Sequence, residues 1–296
     1  MSNLQENSQY HIPVMTSEVL EFLNLKKDGV YIDGTIGAGG HTNEILSNLS
    51  SKAKVIGLDR DNDALEIAKK RLIHFKKQIS LHHSSYHHIS NIMKLNNISK
   101  VDGILLDLGL SSMQLNTKNR GFSFQKNDRI DMRFDQSSGE TANELIKRLT
   151  QEQLADIIFE FGEERRSRRI AKSIKKSNML ITTNDLTDAI RKSTPPHQRN
   201  KTLARVYQAI RIAVNNEIEK LKNFLEIFLH HLNSKGRLVI ISYHSIEDRL
   251  VKNFFRQLKL DNKANILTKK PLTPSTKEIQ SNRRSRSAKI RALEKI

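Results

Sequence analysis

Three aspartates are the residues of this chain best placed for chemistry, because each one ends a short apolar run. Asp33, Asp59 and Asp107 are each followed within two residues by a glycine or a second aspartate. Continuous apolar runs are typical of buried parallel strands, and ligands of doubly wound sheets bind outside the carboxyl ends of the strands. The three carboxylates are therefore predicted to meet at one sheet edge. Burying an unpaired carboxylate is costly, which favours a ligand-binding role, although any one of them alone could cap a helix.

The first of these runs leads into a glycine-rich turn that could receive a ligand. Gly37, Gly39 and Gly40 lie between Asp33 and a helical pattern. Glycines let the backbone approach a ligand closely, and the first N–H groups of a helix are free to bind an anion or a polar group. The turn matches only part of the dinucleotide fingerprint, since Thr42 stands where a third glycine is expected. It is not a P-loop, because no Gly-Lys-Ser/Thr sequence follows.

The position of Asp59 favours a cofactor that contains a nucleoside. Asp59 lies twenty residues beyond Gly39, a spacing that suits a carboxylate accepting hydrogen bonds from a ribose. A nicotinamide dinucleotide and S-adenosylmethionine both fit this pattern. Tyr86 follows the third apolar run and is a candidate to lean on an adenine ring, or simply to fill the core.

The composition indicates a polyanionic partner. The 296 residues carry a formal net charge of +18, which attracts nucleic acid, although a solvated basic surface would have the same composition. The chain has no apolar run of membrane-spanning length and no signal peptide at its polar start, so the cytoplasm is the expected location and no membrane partner is predicted.

The absence of cysteine narrows the chemistry. Without cysteine the chain cannot form disulfides, Cys-ligated zinc sites or iron–sulfur clusters, and it lacks the Pro-Cys-x-x-Cys segment of zinc-dependent cytidine deaminases. Methylation of carbon 5 of a pyrimidine commonly uses a cysteine nucleophile, so an exocyclic amine or a hydroxyl is the favoured acceptor. The histidine cluster at positions 82, 83, 87 and 88 is not interpreted as a metal site, because adjacent strand residues point to opposite faces. No metal site is predicted.

The βα alternation stops after the fourth strand. Residues 1–114 are predicted to form the first part of an α/β core, residues 115–204 an all-helical insertion, and residues 205–296 the second part of the core with a basic tail. The insertion contains a dense basic helix and is the expected RNA-recognition domain; the helix carries Arg165, Arg166, Arg168 and Arg169. Leu203–Leu232 is predicted to be one long helix. Its polar stripe, which includes Arg211 and Asn215, either faces the active cleft or is a solvated face.

Eight segments together resemble a known enzyme family. They are His11-Ile12-Pro13-Val14, Tyr31–His41, Gly57–Asp61, Asp102–Ser112, Arg120–Phe124, Asp131-Met132-Arg133, Gly162-Glu163-Glu164-Arg165 and Ser242–Arg249. In this order, and over nearly the whole chain, they resemble the RsmH (MraW) family of bacterial S-adenosylmethionine-dependent enzymes. Members of that family methylate N4 of a cytosine in the decoding centre of 16S rRNA.

The resemblance implies a Rossmann-like methyltransferase core with a mostly parallel sheet, and a helical insertion after the fourth strand that recognises the substrate. It implies S-adenosylmethionine as the cofactor and 16S rRNA or the small ribosomal subunit as the partner; a homodimer is left open. It also implies that seven residues contact the cofactor: Gly39, Gly40, His41, Asp59, Tyr86, Asp107 and Gln114. The residue pattern adds Asp33 and Gly37 to this set.

Asp107 is the predicted catalytic residue, as a hydrogen-bond acceptor for the cytosine amine. Related amino-methyltransferases carry a Pro-Pro-aromatic sequence after the fourth strand, but here Asp107 is followed by Leu108-Gly109-Leu110. The aromatic that stacks on the base must then come from elsewhere, and Phe122, Phe124 and Tyr243 are the candidates. His244, at the start of the next helix, is a further candidate to contact RNA.

Three alternatives remain from the residues alone. The first is a nicotinamide-dependent oxidoreductase, against which the incomplete glycine fingerprint speaks. The second is a non-catalytic RNA-binding or ribosome-assembly factor of the same fold. The third is an amino-methyltransferase that acts on DNA.

Overall fold

The computed structural model describes residues 13–177 and 180–296. His11 and Ile12 of the first family-like segment lie outside the described residues. The chain divides into two compact units, of which one contains residues 110–218 and the other the segments on either side of it. No helix in the described part of the chain is both long and apolar enough to cross a membrane.

The first unit is built on a seven-stranded sheet. In chain order the strands are β1 (Val30–Asp33), β2 (Lys54–Asp59), β3 (Ile79–His83), β4 (Val101–Asp107), β5 (Leu232–Ser242), β6 (Ala264–Ile266) and β7 (Lys289–Lys295). Their order across the sheet is β3-β2-β1-β4-β5-β7-β6. The first five strands are parallel, and β7 runs antiparallel to both of its neighbours. The predicted α/β class, with a mostly parallel sheet, is confirmed.

Thirteen α-helices surround this sheet or form the second unit, counted over the described residues. They are α1 (Thr16–Leu23), α2 (Gly40–Ser47), α3 (Asn62–Arg71), α4 (Ile89–Leu95), α5 (Ser112–Asn116), α6 (Ala142–Arg148), α7 (Gln151–Gly162), α8 (Ser167–Lys175), α9 (Thr183–Lys192), α10 (Arg199–Asn215), α11 (Glu217–His231), α12 (Ser245–Leu260) and α13 (Thr276–Ser281).

Parallel pairing brings the three aspartates to one edge of the sheet. Strand β1 lies between β2 and β4, with Asp33 in register with Gly57 on one side and Leu105 on the other. Asp59 and Asp107 are each two residues further along their strands, toward the same carboxyl edge. The prediction that the three carboxylates converge is confirmed. The sheet has a buried apolar core on each face, so the edge is held by rigid elements.

The second unit is a helical bundle with a core of its own. Helices α6–α10 and the loop before them bury a continuous apolar cluster. Two of the helix starts carry the capping boxes that the sequence shows, Thr141 with Glu144 and Thr150 with Gln153. In each box a threonine hydroxyl and an acidic or amide side chain satisfy two otherwise unpaired backbone N–H groups.

Two predictions about the insertion are wrong. The unit extends over residues 110–218, not 115–204, because α10 buries Leu203, Val206 and Ile210 in the core of the bundle. The single helix predicted over Leu203–Leu232 is also broken: Asn216 adopts a left-handed conformation (φ 51°) that ends α10, and α11 begins at Glu217. Asparagine tolerates this conformation better than most residues, and apolar periodicity cannot reveal a break of one residue.

Candidate cofactor and catalytic site

The carboxylate of Asp33 holds the glycine-rich turn in place. Its Oδ1 accepts a hydrogen bond from the Thr35 backbone N–H (3.2 Å) and its Oδ2 accepts one from the Thr42 hydroxyl (2.7 Å). Burial raises the pKa of Asp33, and the hydrogen bond from Thr42 opposes that rise. Thr42 therefore has a structural reason to stand where the dinucleotide fingerprint has a glycine, which the sequence did not reveal.

Asp59 joins the end of β2 to the same turn. Its Oδ2 accepts the Gly37 N–H (2.8 Å) and its Oδ1 accepts the Asp61 N–H (2.9 Å). Burial raises the pKa of Asp59 to about 6, although both hydrogen bonds act in the opposite direction. A carboxylate has roughly four lone-pair sites, so these two contacts leave acceptor capacity for a further ligand group.

Two glycines of the turn have left-handed backbone angles, which glycine adopts more readily than residues with a Cβ. Gly37 and Gly39 have φ values of 51° and 77°. Among the described residues, a Cβ added at Gly37 would find nothing closer than the Thr35 carbonyl oxygen at 4.0 Å. Gly39 is the N-cap of α2, and within residues 13–177 and 180–296 no side chain caps the N–H groups of that helix start. In the described part of the chain, the turn therefore has the close backbone approach and the uncapped helix start that the sequence pattern predicts.

His41 lies in the first turn of α2 beside Asp107. The residue is 6% exposed, and neither ring nitrogen has a hydrogen-bond partner among the described residues. Its Nε2 is 3.6 Å from Asp107 Oδ2. Buried polar atoms normally have partners, so the two ring nitrogens of His41 are candidates to bind a polar group of a ligand.

Asp107 is held at the backbone and at one carboxylate oxygen. Its N–H donates to the Thr35 hydroxyl (2.6 Å), and its Oδ1 accepts a hydrogen bond from the Tyr243 hydroxyl (2.8 Å). The side chain is 24% exposed, and Oδ2 accepts no hydrogen bond from any residue that the structure describes. Asp107 thus presents one acceptor oxygen to the sheet edge. The Tyr243 contact was missed by sequence reasoning, which considered Tyr243 only as a base-stacking ring.

Tyr86 occupies the position after β3 mainly as a core residue. It is buried, and its ring packs edge-on against Phe224 with centroids 5.6 Å apart. The adjacent histidines also have structural contacts, since His83 Nε2 lies 2.9 Å from the Arg60 carbonyl oxygen and His82 Nε2 lies 3.0 Å from the Asn96 amide.

Among the predicted site residues of the helical unit, some are exposed and others make hydrogen bonds within the unit. Arg165, Arg168 and Arg169 are exposed, at or near the start of α8, whereas Arg166 is half-buried and donates to Gln198. Gln114 lies in this unit and closes a capping box on α5, with its Oε1 accepting the Ser111 N–H (3.1 Å).

Several of the other RNA candidates have structural contacts that the sequence did not predict. Asn215 is 1% exposed and joins α10 to the loop before α6, accepting the Phe134 N–H (2.8 Å) and donating to the Met132 carbonyl (2.7 Å). Arg211 forms a two-pronged ion pair with Glu217. Phe122 is buried and stacks on Phe134. These positions do not support the expectation that Asn215, Arg211 and Phe122 meet RNA.

Phe124 and His244 also make internal contacts. Phe124 is half-buried, and its ring meets that of Tyr207 edge-on at 5.6 Å. His244 is the N-cap of α12, where its Nδ1 accepts the Glu247 N–H (3.4 Å). The predicted base-stacking role of Phe124 therefore competes with a packing role, and the predicted RNA contact of His244 competes with a capping role.

Comparison with known proteins assigns the chain to a family. Residues 8–296 match the MraW methylase family. The chain belongs to this family. It is 46% identical to ribosomal RNA small subunit methyltransferase H of Thermosipho africanus, with 97% of this chain and 98% of that protein covered. It is 43% identical to the protein of the same name from Kosmotoga olearia, with 99% of each covered. A solved candidate rRNA-methylase from Clostridium thermocellum shares the fold (TM-score 0.50, 12% identity, 97% and 100% covered).

Membership of this family makes the protein an S-adenosylmethionine-dependent methyltransferase with a Rossmann-like fold. Of the two cofactors that the glycine turn and Asp59 left open, the methyl donor is therefore the one used. The resemblance drawn from the sequence motifs is confirmed, as is the fold class.

Proposed function

We propose that this protein transfers a methyl group from S-adenosylmethionine to the exocyclic N4 amine of a cytosine in the decoding centre of 16S rRNA. Relatives that match over nearly the full chain are named ribosomal RNA small subunit methyltransferase H. The observation that carries the chemistry is Asp107 Oδ2, which accepts no hydrogen bond from the described residues and lies at the sheet edge that also carries the glycine turn and two further carboxylates.

The residues at the sheet edge fit the cofactor. The backbone N–H groups at the start of α2, which no described side chain caps, would donate to its polar groups, and Asp59 has acceptor capacity for a ribose. His41 supplies buried nitrogens that lack partners within the described chain. Asp33 holds the turn, and Gly39, Gly40 and Tyr86 complete the proposed contacts within this unit.

The chain itself has little covalent chemistry to perform. When bound, S-adenosylmethionine supplies a methyl group already activated by its sulfonium: a nitrogen–carbon bond forms as the carbon–sulfur bond breaks, and the electron pair stays on sulfur. The protein needs to align the reactants and exclude water. A chain without cysteine forms no covalent thiol adduct with the pyrimidine ring, which favours the amine over carbon 5.

Asp107 would make the weakly nucleophilic amine of cytosine more reactive. The N4 lone pair is delocalised into the ring, and a hydrogen bond from the amine to Asp107 Oδ2 favours its pyramidal, reactive form. The proton that N4 must lose passes to this carboxylate or to water. The base has to leave its stack to reach the site, as in other enzymes that act on bases.

Binding of the RNA backbone is assigned to the basic helical unit. Arg165, Arg168 and Arg169 are exposed at or near the start of α8, where they can neutralise phosphates. Such contacts supply affinity and salt dependence, and they do not choose the base.

Transfer of labelled methyl from the cofactor to small-subunit RNA tests the proposal, with the modified nucleoside identified by mass spectrometry. N4-methylcytidine is expected; a modified nucleoside of another kind, or methylated DNA, would refute it. Asp107→Ala should reduce transfer by roughly 10²–10⁴-fold. Asp102→Ala is the matched control, because Asp102 stands at the opposite end of β4 and pairs with Lys26 at 2.7 Å. Equal losses in both variants would remove Asp107 from the chemistry.

A further inference from the structure

The phenol of Tyr243 lies at the sheet edge, in contact with the catalytic carboxylate. Its hydroxyl donates to Asp107 Oδ1 at 2.8 Å, and the two residues are 136 positions apart in the chain. The other oxygen, Oδ2, faces the His41 ring at 3.6 Å. The two oxygens of Asp107 are therefore not equivalent, since one is fixed by the protein and the other is available.

Neighbouring strands bring the two residues together. Strands β4 and β5 run parallel, with Asp107 in register with Ile241, and Tyr243 follows two residues later. Gly109 makes room for the ring: an ideal Cβ built there would lie 3.1 Å from Tyr243 Cδ2, and Gly109 has a φ of 106°. A residue with a side chain would be strained at this angle and would press on the ring.

The start of α12 fixes Tyr243 from its other side. The Tyr243 N–H donates to Glu247 Oε2 (3.1 Å), and Glu247 is buried. The adjacent residue, His244, caps the helix by accepting the Glu247 N–H. The backbone of Tyr243 is therefore anchored to a helix at the point where its ring leaves the chain.

We propose that Tyr243 is a positioning residue that holds Asp107 Oδ1 so that Oδ2 faces the reacting amine. This assignment rests on the proposed function. A carboxylate bound through one oxygen loses its freedom to rotate and presents a single acceptor, and fixed acceptors cost no reorganisation during the reaction. Burial and the neighbouring Asp107 raise the pKa of Tyr243 well above its usual value, so the phenol keeps its proton and stays a donor.

Tyr243→Phe tests the assignment, because it removes only the hydroxyl. A hydrogen bond to a charged group accounts for roughly a 10- to 100-fold change, which we expect as a loss in kcat with small-subunit RNA. The KM for S-adenosylmethionine should stay the same. Tyr31→Phe is the matched control: Tyr31 is a buried tyrosine of β1 whose oxygen accepts the Lys26 N–H at 2.6 Å, away from Asp107. Its kcat should not change.

A double-mutant cycle separates positioning from general destabilisation. In an Asp107→Ala background, adding Tyr243→Phe should cause no further loss of rate, since the partner is already absent. Full additivity, an unchanged kcat in Tyr243→Phe, or the same loss in Tyr31→Phe would each overturn the assignment. Wild-type enzyme that leaves small-subunit RNA unmethylated would overturn the proposed function and this assignment with it. Active wild type with an equally active Tyr243→Phe would overturn this assignment alone.

Discussion

The pH dependence of cofactor binding offers a direct test of Asp59. The carboxylate is proposed to accept hydrogen bonds from the ribose, which requires its ionised form. In the free protein it already accepts the N–H groups of Gly37 and Asp61, and burial raises its pKa to about 6. Ribose hydroxyl groups that donate to the carboxylate favour its charged form and lower that pKa in the complex.

The sign and size of the effect follow from the raised pKa. Affinity should increase as pH rises through about 6 and level off above it. At pH 5, about nine-tenths of Asp59 is protonated, so binding should be roughly tenfold weaker than at pH 7. The linkage to stability has the opposite sign: the raised pKa contributes stability that is fully present below the unfolded value of 3.8 and is lost as pH rises through about 6.

The assay is calorimetric titration with S-adenosylhomocysteine, the demethylated product, at pH 5, 6 and 7. Asp59→Asn has no carboxylate to ionise, and its amide cannot accept both backbone N–H groups. We expect it to bind roughly 10- to 100-fold more weakly than wild type at pH 7, because hydrogen bonds to a charged group are removed. At pH 5 the ratio of wild-type to Asp59→Asn affinity should be about tenfold smaller than at pH 7, since most of the Asp59 carboxylate in wild type is then protonated.

In the ratio of wild-type to variant affinity, the effects of all other groups that titrate in this pH range cancel. Asp63→Asn is the control, because Asp63 is an exposed carboxylate in the first turn of the neighbouring helix α3. Its affinity should follow that of wild type at each pH. A wild-type to Asp59→Asn ratio that is the same at pH 5 and pH 7 would refute the role of the ionised carboxylate. Equal affinity at pH 7 would refute the ribose contact itself.

Three further predictions concern the turn, the bundle and the RNA surface. Gly39→Ala should lower the free energy of unfolding by more than Gly139→Ala. Both glycines have a φ near 77°, and alanine at this angle costs roughly 1–2 kcal/mol. Only at Gly39 would the new Cβ also lie 3.0 Å from a side-chain atom, that of Leu72. Urea unfolding measures both. Asn215→Ala should cost about 1–3 kcal/mol in the same assay, since it leaves a buried N–H and a carbonyl without their partner; no loss would contradict the structural role of Asn215. The third change reverses the charges of four arginines, Arg165, Arg166, Arg168 and Arg169. The slope of log affinity for RNA against log salt concentration should then become shallower by roughly 0.7–0.9 for each phosphate that the protein no longer neutralises. An unchanged slope would place the RNA elsewhere.

Local patterns in the sequence were sufficient for the sheet and its edge. The apolar runs that end in Asp33, Asp59 and Asp107 predict parallel strands, and parallel strands necessarily bring their carboxyl ends to the same edge. The turn at Gly37 and Gly39 was predictable for a similar reason, because glycine adopts left-handed backbone angles at lower cost than residues with a Cβ. Capping boxes such as Thr141 with Glu144 depend on residues three positions apart, so they too can be identified from the chain alone.

Contacts between distant parts of the chain were decided only by the tertiary structure. Asn215 belongs to a polar stripe that sequence reasoning could equally assign to RNA or to solvent, and it bonds instead to the backbone of a loop 81 residues away. Tyr243 was one of three aromatic candidates for the base, and its hydroxyl meets Asp107 across 136 residues. Helical and strand periodicity fixes which face of its own element a side chain occupies, but the partner on that face comes from another element. The acidic edge was therefore determined by the sequence, whereas the orientation of its central carboxylate was determined by packing.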